Sequence, residues 1–146
     1  MTIRLLVTDD HELVRAGLVQ YLGISPGIEV VAEAANGTEL LEKLRSTSVD
    51  LLLLDMTMPG MSGEELIERV KQAYPDLHIL VHSMHNEIQV VRRAMKAGAS
   101  GYISKDCTPQ ALFNAIRETI ETGKYLNPAI AEQLAYTTAL TDAGDI

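Results

Sequence analysis

Five short runs rich in Val, Ile and Leu, at positions 3–8, 29–34, 50–55, 77–83 and 101–104, are separated by longer stretches with helical periodicity. Strand-length apolar runs alternating with helices mark repeated βα units, whose parallel crossovers are nearly always right-handed. The expectation is an α/β fold, an open doubly wound parallel sheet with helices on both faces. Several runs are apolar almost throughout, as in Leu51-Leu52-Leu53-Leu54, which suits strands buried on both faces. Leucine alone is a poor strand former, so the alternation decides.

The helical stretches are read at 11–22, 37–45, 62–73, 87–97 and 108–121. Leu66, Ile67 and Val70 mark one apolar face, and Leu112, Ala115, Ile116 and Ile120 another. Gly23, Pro75, Gly98 and Gly123 stand where helices should stop. After Tyr125 the alternation ends, with 127–136 as one more short helix and 137–146 as a loose polar tail. The 146 residues therefore divide into one domain over 1–124 and a tail or linker over 125–146.

No apolar run approaches the ~20 residues of a membrane span, and Met1-Thr2-Ile3-Arg4 leads straight into a strand without a signal-peptide profile. A single cysteine, Cys107, excludes an internal disulfide and a cysteine-based zinc site, and no role is expected for it. A cytoplasmic location follows. A net charge of −8 argues against nucleic-acid binding by this segment, because phosphate neutralisation needs clustered Lys and Arg.

In open α/β sheets, ligands bind outside the carboxyl ends of the strands, near the point where strand order reverses. The first strand ends in Asp9-Asp10, the third in Asp55, the fourth in Ser83, and Lys105 stands just beyond the fifth. The second ends in Glu33-Ala34-Ala35 and adds nothing comparable. Clustered carboxylates repel one another unless a cation joins them. An all-oxygen set suits Mg²⁺, with Asp10 as direct ligand, Asp9 partly through water and Asp55 giving one oxygen. Within such a set Asp55 can act as a nucleophile toward phosphorus, Lys105 as a point charge for phosphoryl oxygens and Ser83 as a hydroxyl donor.

Asp9-Asp10, the stretch Asp55-Met-Thr-Met-Pro-Gly-Met-Ser-Gly63, Ser83 and Gly101-Tyr-Ile-Ser-Lys105 resemble, in order and spacing, the signature of two-component response regulator receiver domains. The stretch 9–18, Asp-Asp-His-Glu-Leu-Val-Arg-Ala-Gly-Leu, is similar to the NarL/FixJ (LuxR-type) subfamily, and the resemblance covers about residues 3–123. It implies a flavodoxin-like (βα)5 three-layer sandwich with sheet order 2-1-3-4-5. It makes Asp55 the phosphoacceptor, a sensor histidine kinase the donor, and Mg²⁺ the cofactor, with the backbone carbonyl of Thr57 as a further ligand. Tyr102 matches the switch aromatic that turns inward when Ser83 engages the phosphoryl group. The fourth helix, fifth strand and fifth helix would form the responding surface, where Arg92, Arg93 and Lys96 could meet an acidic partner.

The resemblance further implies a phosphoprotein that is not an enzyme, that dimerises on phosphorylation and that controls transcription through a C-terminal helix-turn-helix. No basic segment of that kind precedes Ile146, so DNA contact is expected only through a domain this chain lacks. The alternative is a stand-alone receiver acting by protein contact. Met84, bulkier than the usual residue after Ser83, is expected to alter phosphate access and the swing of Tyr102, while Thr57 and His85 flank the site and tune hydrolysis.

Plainer readings exist for single residues. Asp9-Asp10 could be a helix N-cap, Ser83 a turn former, and Tyr102 a half-buried strand aromatic. His82 and His85 are read as structural or solvated rather than metal ligands, and Met56, Met58, Met61, Met84 and Met95 as packing groups. A phosphatase of the haloacid dehalogenase type would want a second Asp where Thr57 stands, and no Gly-rich phosphate loop follows the first strand.

Overall fold

Strand β3 (Leu51–Leu54) divides the core, because successive side chains of a strand point to opposite faces. Leu52 and Leu54 pack with Leu40, Leu66, Ile67 and Val91 on one side. Leu51 and Leu53 pack with Leu22, Leu112 and Ile116 on the other. The computed structural model describes residues 2–85 and 87–144. Around β3 the elements run β1 (Ile3–Thr8), α1 (Glu12–Gly23), β2 (Ile28–Ala34), α2 (Gly37–Ser46), α3 (Gly63–Ala73), β4 (His78–Ser83), α4 (Ile88–Ala97), β5 (Gly101–Ser104), α5 (Pro109–Thr122), β6 (Tyr125–Leu126) and α6 (Pro128–Gly144). Helices α1 and α5 cover one face of the sheet and α2, α3 and α4 the other. Leu53→Ala should lower unfolding free energy by about 2–5 kcal/mol, read as an earlier urea midpoint with unchanged slope.

The starts of α1, α3, α4 and α5 were read one residue early, since the residue before each helix is its cap, while α2 begins at Gly37 as read. Ser62 Oγ accepts from the Glu65 N–H at 3.1 Å and Thr108 Oγ1 from the Ala111 N–H at 3.1 Å, with Pro109 as first helical residue. Gly123, at φ 81°, ends α5 in the left-handed region as expected of a stop. Gly23 is instead the last residue of α1, and Ile24 caps it.

The sheet is parallel throughout, in the order β2-β1-β3-β4-β5-β6. The expected order 2-1-3-4-5 holds, and β6 is an addition to it. Tyr125 and Leu126 pair with Gly101 and Tyr102, so the alternation does not end at Tyr125. Gly101 makes the approach possible, since a Cβ there would lie 2.5 Å from the Tyr125 carbonyl oxygen. The loose tail expected over 137–146 is also corrected: α6 runs through Gly144, and residues 145 and 146 lie outside the described residues. Pro128 presets the first turn, and no Pro or Gly interrupts the Ala- and Leu-rich sequence before Gly144. Ile130 anchors α6 by entering the cluster that holds Val91, Ala94 and Tyr102. Among the described residues no helix is long and apolar enough to cross a membrane.

Candidate functional site

Strand order reverses at the β1–β3 pair, and the ladder register there puts Thr8 opposite Leu54. The next residues, Asp9 and Asp55, leave the sheet side by side. The Asp55 N–H donates to the Thr8 carbonyl at 3.2 Å and the Asp9 N–H to the Ala34 carbonyl at 3.1 Å. On the far side, the Lys105 N–H donates to the Ser83 carbonyl at 2.8 Å. Backbone pairing therefore carries all these residues to one edge, as their positions at strand ends predicted.

The Lys105 ammonium lies 2.8 Å from Asp9 Oδ2 and 3.2 Å from Asp55 Oδ2, and both carboxylates are 1% exposed. Burial pushes the Asp9 carboxyl up, but the Lys105 hydrogen bond, the His11 N–H and the Lys105 charge together hold it below its ordinary value. Burial pushes Lys105 down, and its bond to Asp9 with the charge of Asp55 reverses that, leaving it above the ordinary lysine value. Thr57 holds Asp55 from the other side: its N–H and Oγ1–H donate to Asp55 Oδ1 at 3.1 and 3.0 Å.

Asp9, Asp10, His11 and Asp55 each offer one ligand atom, and these atoms lie within 4.8 Å of one another. Asp10 Oδ1 and Asp55 Oδ2 are buried and, among the described residues, have only ion-pair contacts, to His11 Nδ1 at 3.1 Å and Lys105 Nζ at 3.2 Å. Carboxylate oxygens with lone pairs still available in a buried cluster fit a hard divalent cation. The N-cap alternative for Asp9-Asp10 fails, because His11 occupies the cap position of α1 and Asp9 Oδ1 accepts the His11 N–H at 2.9 Å.

Ser83 is fully buried at the end of β4, and its Oγ accepts the His85 N–H at 3.1 Å. Tyr102 is fully buried as well, where half-burial was the plainer expectation, and its hydroxyl donates to the His85 carbonyl. Burial raises the Tyr102 phenol pKa, opposed by a hydrogen bond with Ser83. Met84 is 66% exposed and lines a cleft beside α1, away from the compartment of Tyr102. His85 is half-exposed, with Nδ1 3.6 Å from Glu87 Oε2.

The sequence reading left out two neighbours. His11 Nδ1 lies 3.2 Å from Asp9 Oδ1 and 3.1 Å from Asp10 Oδ1. Arg15 donates to the Asp9 carbonyl at 2.7 Å and pairs with Glu33 at 3.2 Å, locking α1 against the end of β2. The i, i+4 spacing of His11 and Arg15 in the first turn was the available signal.

Residues 5–117 match the family described as response regulator receiver domain. The chain is 39% identical over 133 residues to the response regulator UvrY of Escherichia coli K12, covering 91% of this chain and 61% of that protein. It thus spans less than two thirds of the curated relative. A solved LuxR-family two-component response regulator from Aurantimonas superposes with TM-score 0.88 at 34% identity, covering 95% of this chain and 99% of that one. A structure of two RcsB dimers bound to two parallel DNAs superposes with TM-score 0.84 at 25% identity, covering 92% of this chain and 69% of that one. The family match runs from β1 into α5 and so takes in every member of the carboxylate–lysine cluster; the chain belongs to the response regulator receiver domain family.

Proposed function

We propose that this chain is a phosphorylation switch in which Asp55 accepts a phosphoryl group from a sensor histidine kinase. One observation carries the reading: Asp55 Oδ2 is buried and is ion-paired with Lys105 Nζ at 3.2 Å. The second oxygen is fixed by Thr57, so Oδ2, facing the Lys105 ammonium, is aimed as a nucleophile. It forms the O–P bond while the P–N bond to the donor histidine breaks, its electron pair returning to the imidazole nitrogen. Lys105 follows the developing charge on the transferred oxygens. Asp10, Asp9, Asp55 and the Thr57 carbonyl would hold Mg²⁺, which neutralises charge on those oxygens when bound.

The phosphoryl group stays on the chain, which makes the protein a marked substrate rather than a turnover enzyme. Ser83 would then donate its hydroxyl to a phosphoryl oxygen, and the inward, buried Tyr102 would follow Ser83. The receiver does not stop at 124 as the sequence suggested: β6 pairs with β5 and Ile130 enters the core, so the start of α6 belongs to it and only the rest of α6 would lead toward an effector domain. The RcsB likeness and the curated relatives, which are longer, support output through dimerisation and a DNA-binding domain, in the cytoplasm.

Acetyl phosphate with Mg²⁺ should add one phosphoryl mass to the wild-type chain, and EDTA or Asp55→Asn should remove the label. Equal labelling of Asp55→Asn would overturn the assignment.

A further inference from the structure

Strand alternation puts His82 on the same side of the sheet as Leu80, under α1 and α5, at a level where these two helices part. A cavity of about 380 Å³ opens there, with His82 among its lining residues. Val14, Gly17 and Leu18 form one wall and Met84, Pro109 and Leu112 the other. Its size falls within the roughly 300–1,000 Å³ of small-molecule sites, which are mostly apolar with a few polar groups.

His82 is 6% exposed, yet no protein group among the described residues hydrogen-bonds its ring. Burial first, and the Lys105 charge second, push its pKa down to about 4, so at neutral pH the ring is uncharged and offers one donor and one acceptor. The ring reaches the cavity, where water or a ligand hydroxyl can pair with it. The nearby charges argue against an anion, since Asp9, Asp10 and Asp55 outnumber the Lys105 ammonium, and that ammonium on the cavity wall argues against a cation.

We propose that the α1–α5 cleft is a binding site for a small uncharged molecule with an aromatic or alicyclic body and one hydroxyl, the hydroxyl bonding His82. Lys105 also lines the cavity, so an occupant sits against the residue that faces Asp55. The site is therefore a place from which a metabolite-sized molecule adjusts the acidic cluster. Binding itself does not depend on phosphoryl transfer and is read without it.

Gly17 supplies the test. A side chain built there meets nothing within 4 Å, so Gly17→Leu fills the cleft without disturbing the fold. Phenol is titrated into the full chain while amide shifts of Met84, Cys107 and Leu112 are followed. Saturable shifts with a Kd on the order of 1 mM are expected for so small a probe. Gly17→Leu should weaken binding at least about 10-fold, benzene and benzoate should bind more weakly than phenol, and His82→Leu should erase the preference for phenol over benzene. Unsaturable shifts, or equal binding by Gly17→Leu, would overturn the proposal. So would a wild-type dimer that Gly17→Leu dissolves in the absence of any phenol binding, which assigns the cleft to a second copy of the chain.

Discussion

Lys105→Met is expected to slow labelling by acetyl phosphate on the order of 100-fold and to destabilise the metal-free chain by about 3 kcal/mol at neutral pH. Both effects have one origin. The ammonium is the cation that faces the two 1%-exposed carboxylates of Asp9 and Asp55, at 2.8 and 3.2 Å. Without it they repel each other inside the protein, and no cation meets the incoming phosphoryl oxygens from that side. The stability loss has a defined pH window. The Asp9 carboxyl is lowered in the folded state, so its contribution is full above the ordinary carboxylate range and fades as pH falls through the folded value. Lys105 is raised, so its contribution is full below the ordinary lysine value and fades as pH rises through the folded value. The gap between wild type and variant should therefore be widest near neutrality and narrow toward both extremes. Mg²⁺ should close part of it by replacing the lost charge. Urea unfolding with and without Mg²⁺, with initial labelling rates, checks this; identical midpoints and rates would leave Lys105 without the role given to it.

Gly101→Val is expected to detach β6 from β5. A Cβ at this position would stand 2.5 Å from the Tyr125 carbonyl oxygen, 3.0 Å from Leu80 Cδ1 and 3.1 Å from Tyr125 Cβ. The carbonyl is backbone and cannot turn aside, so the strand must move. Overpacking of this kind costs about 1–3 kcal/mol, and here the loss should concentrate in β6 and the start of α6. Hydrogen exchange should accelerate at the Tyr125 amide, which donates to the Ser100 carbonyl at 3.2 Å, and at the first amides of α6. The Asp55 end of β3 should keep its protection. Unchanged exchange at 125–131 would refute the close approach as the reason for glycine.

The frame was legible because its information is local. Four consecutive leucines at 51–54 between helical stretches admit little besides a strand buried on both faces, and strand-end residues had to meet at the reversal of order. Strand β6 was not legible, since two residues carry no periodicity and their pairing depends on the missing side chain at Gly101, far off in the chain. The length of α6 was hidden for a different reason: its apolar residues form no stripe, so the pattern resembled a tail although Ala and Leu sustain a helix. In the site, Asp9, Asp10, Asp55, Ser83 and Lys105 were readable as strand-end polar residues. For His11 and Arg15 the i, i+4 spacing put them on one helix face without telling which groups they meet, since those contacts run to Asp9, Asp10 and Glu33 at the ends of β1 and β2. His82 could be assigned to a face by alternation, while the cavity above it is a gap between helices and leaves no trace in the sequence.

Ile130 gives α6 a fulcrum. The side chain enters the cluster that encloses Tyr102, two residues past the start of a helix that continues to Gly144. At 1.5 Å per residue, about 20 Å of rod projects beyond that point. A tilt of roughly 10° at Ile130 therefore sweeps the far end through about 3–4 Å by leverage alone. A small change of tilt at this anchor would thus be magnified, by a stiff arm, into a displacement comparable with the spacing between packed groups.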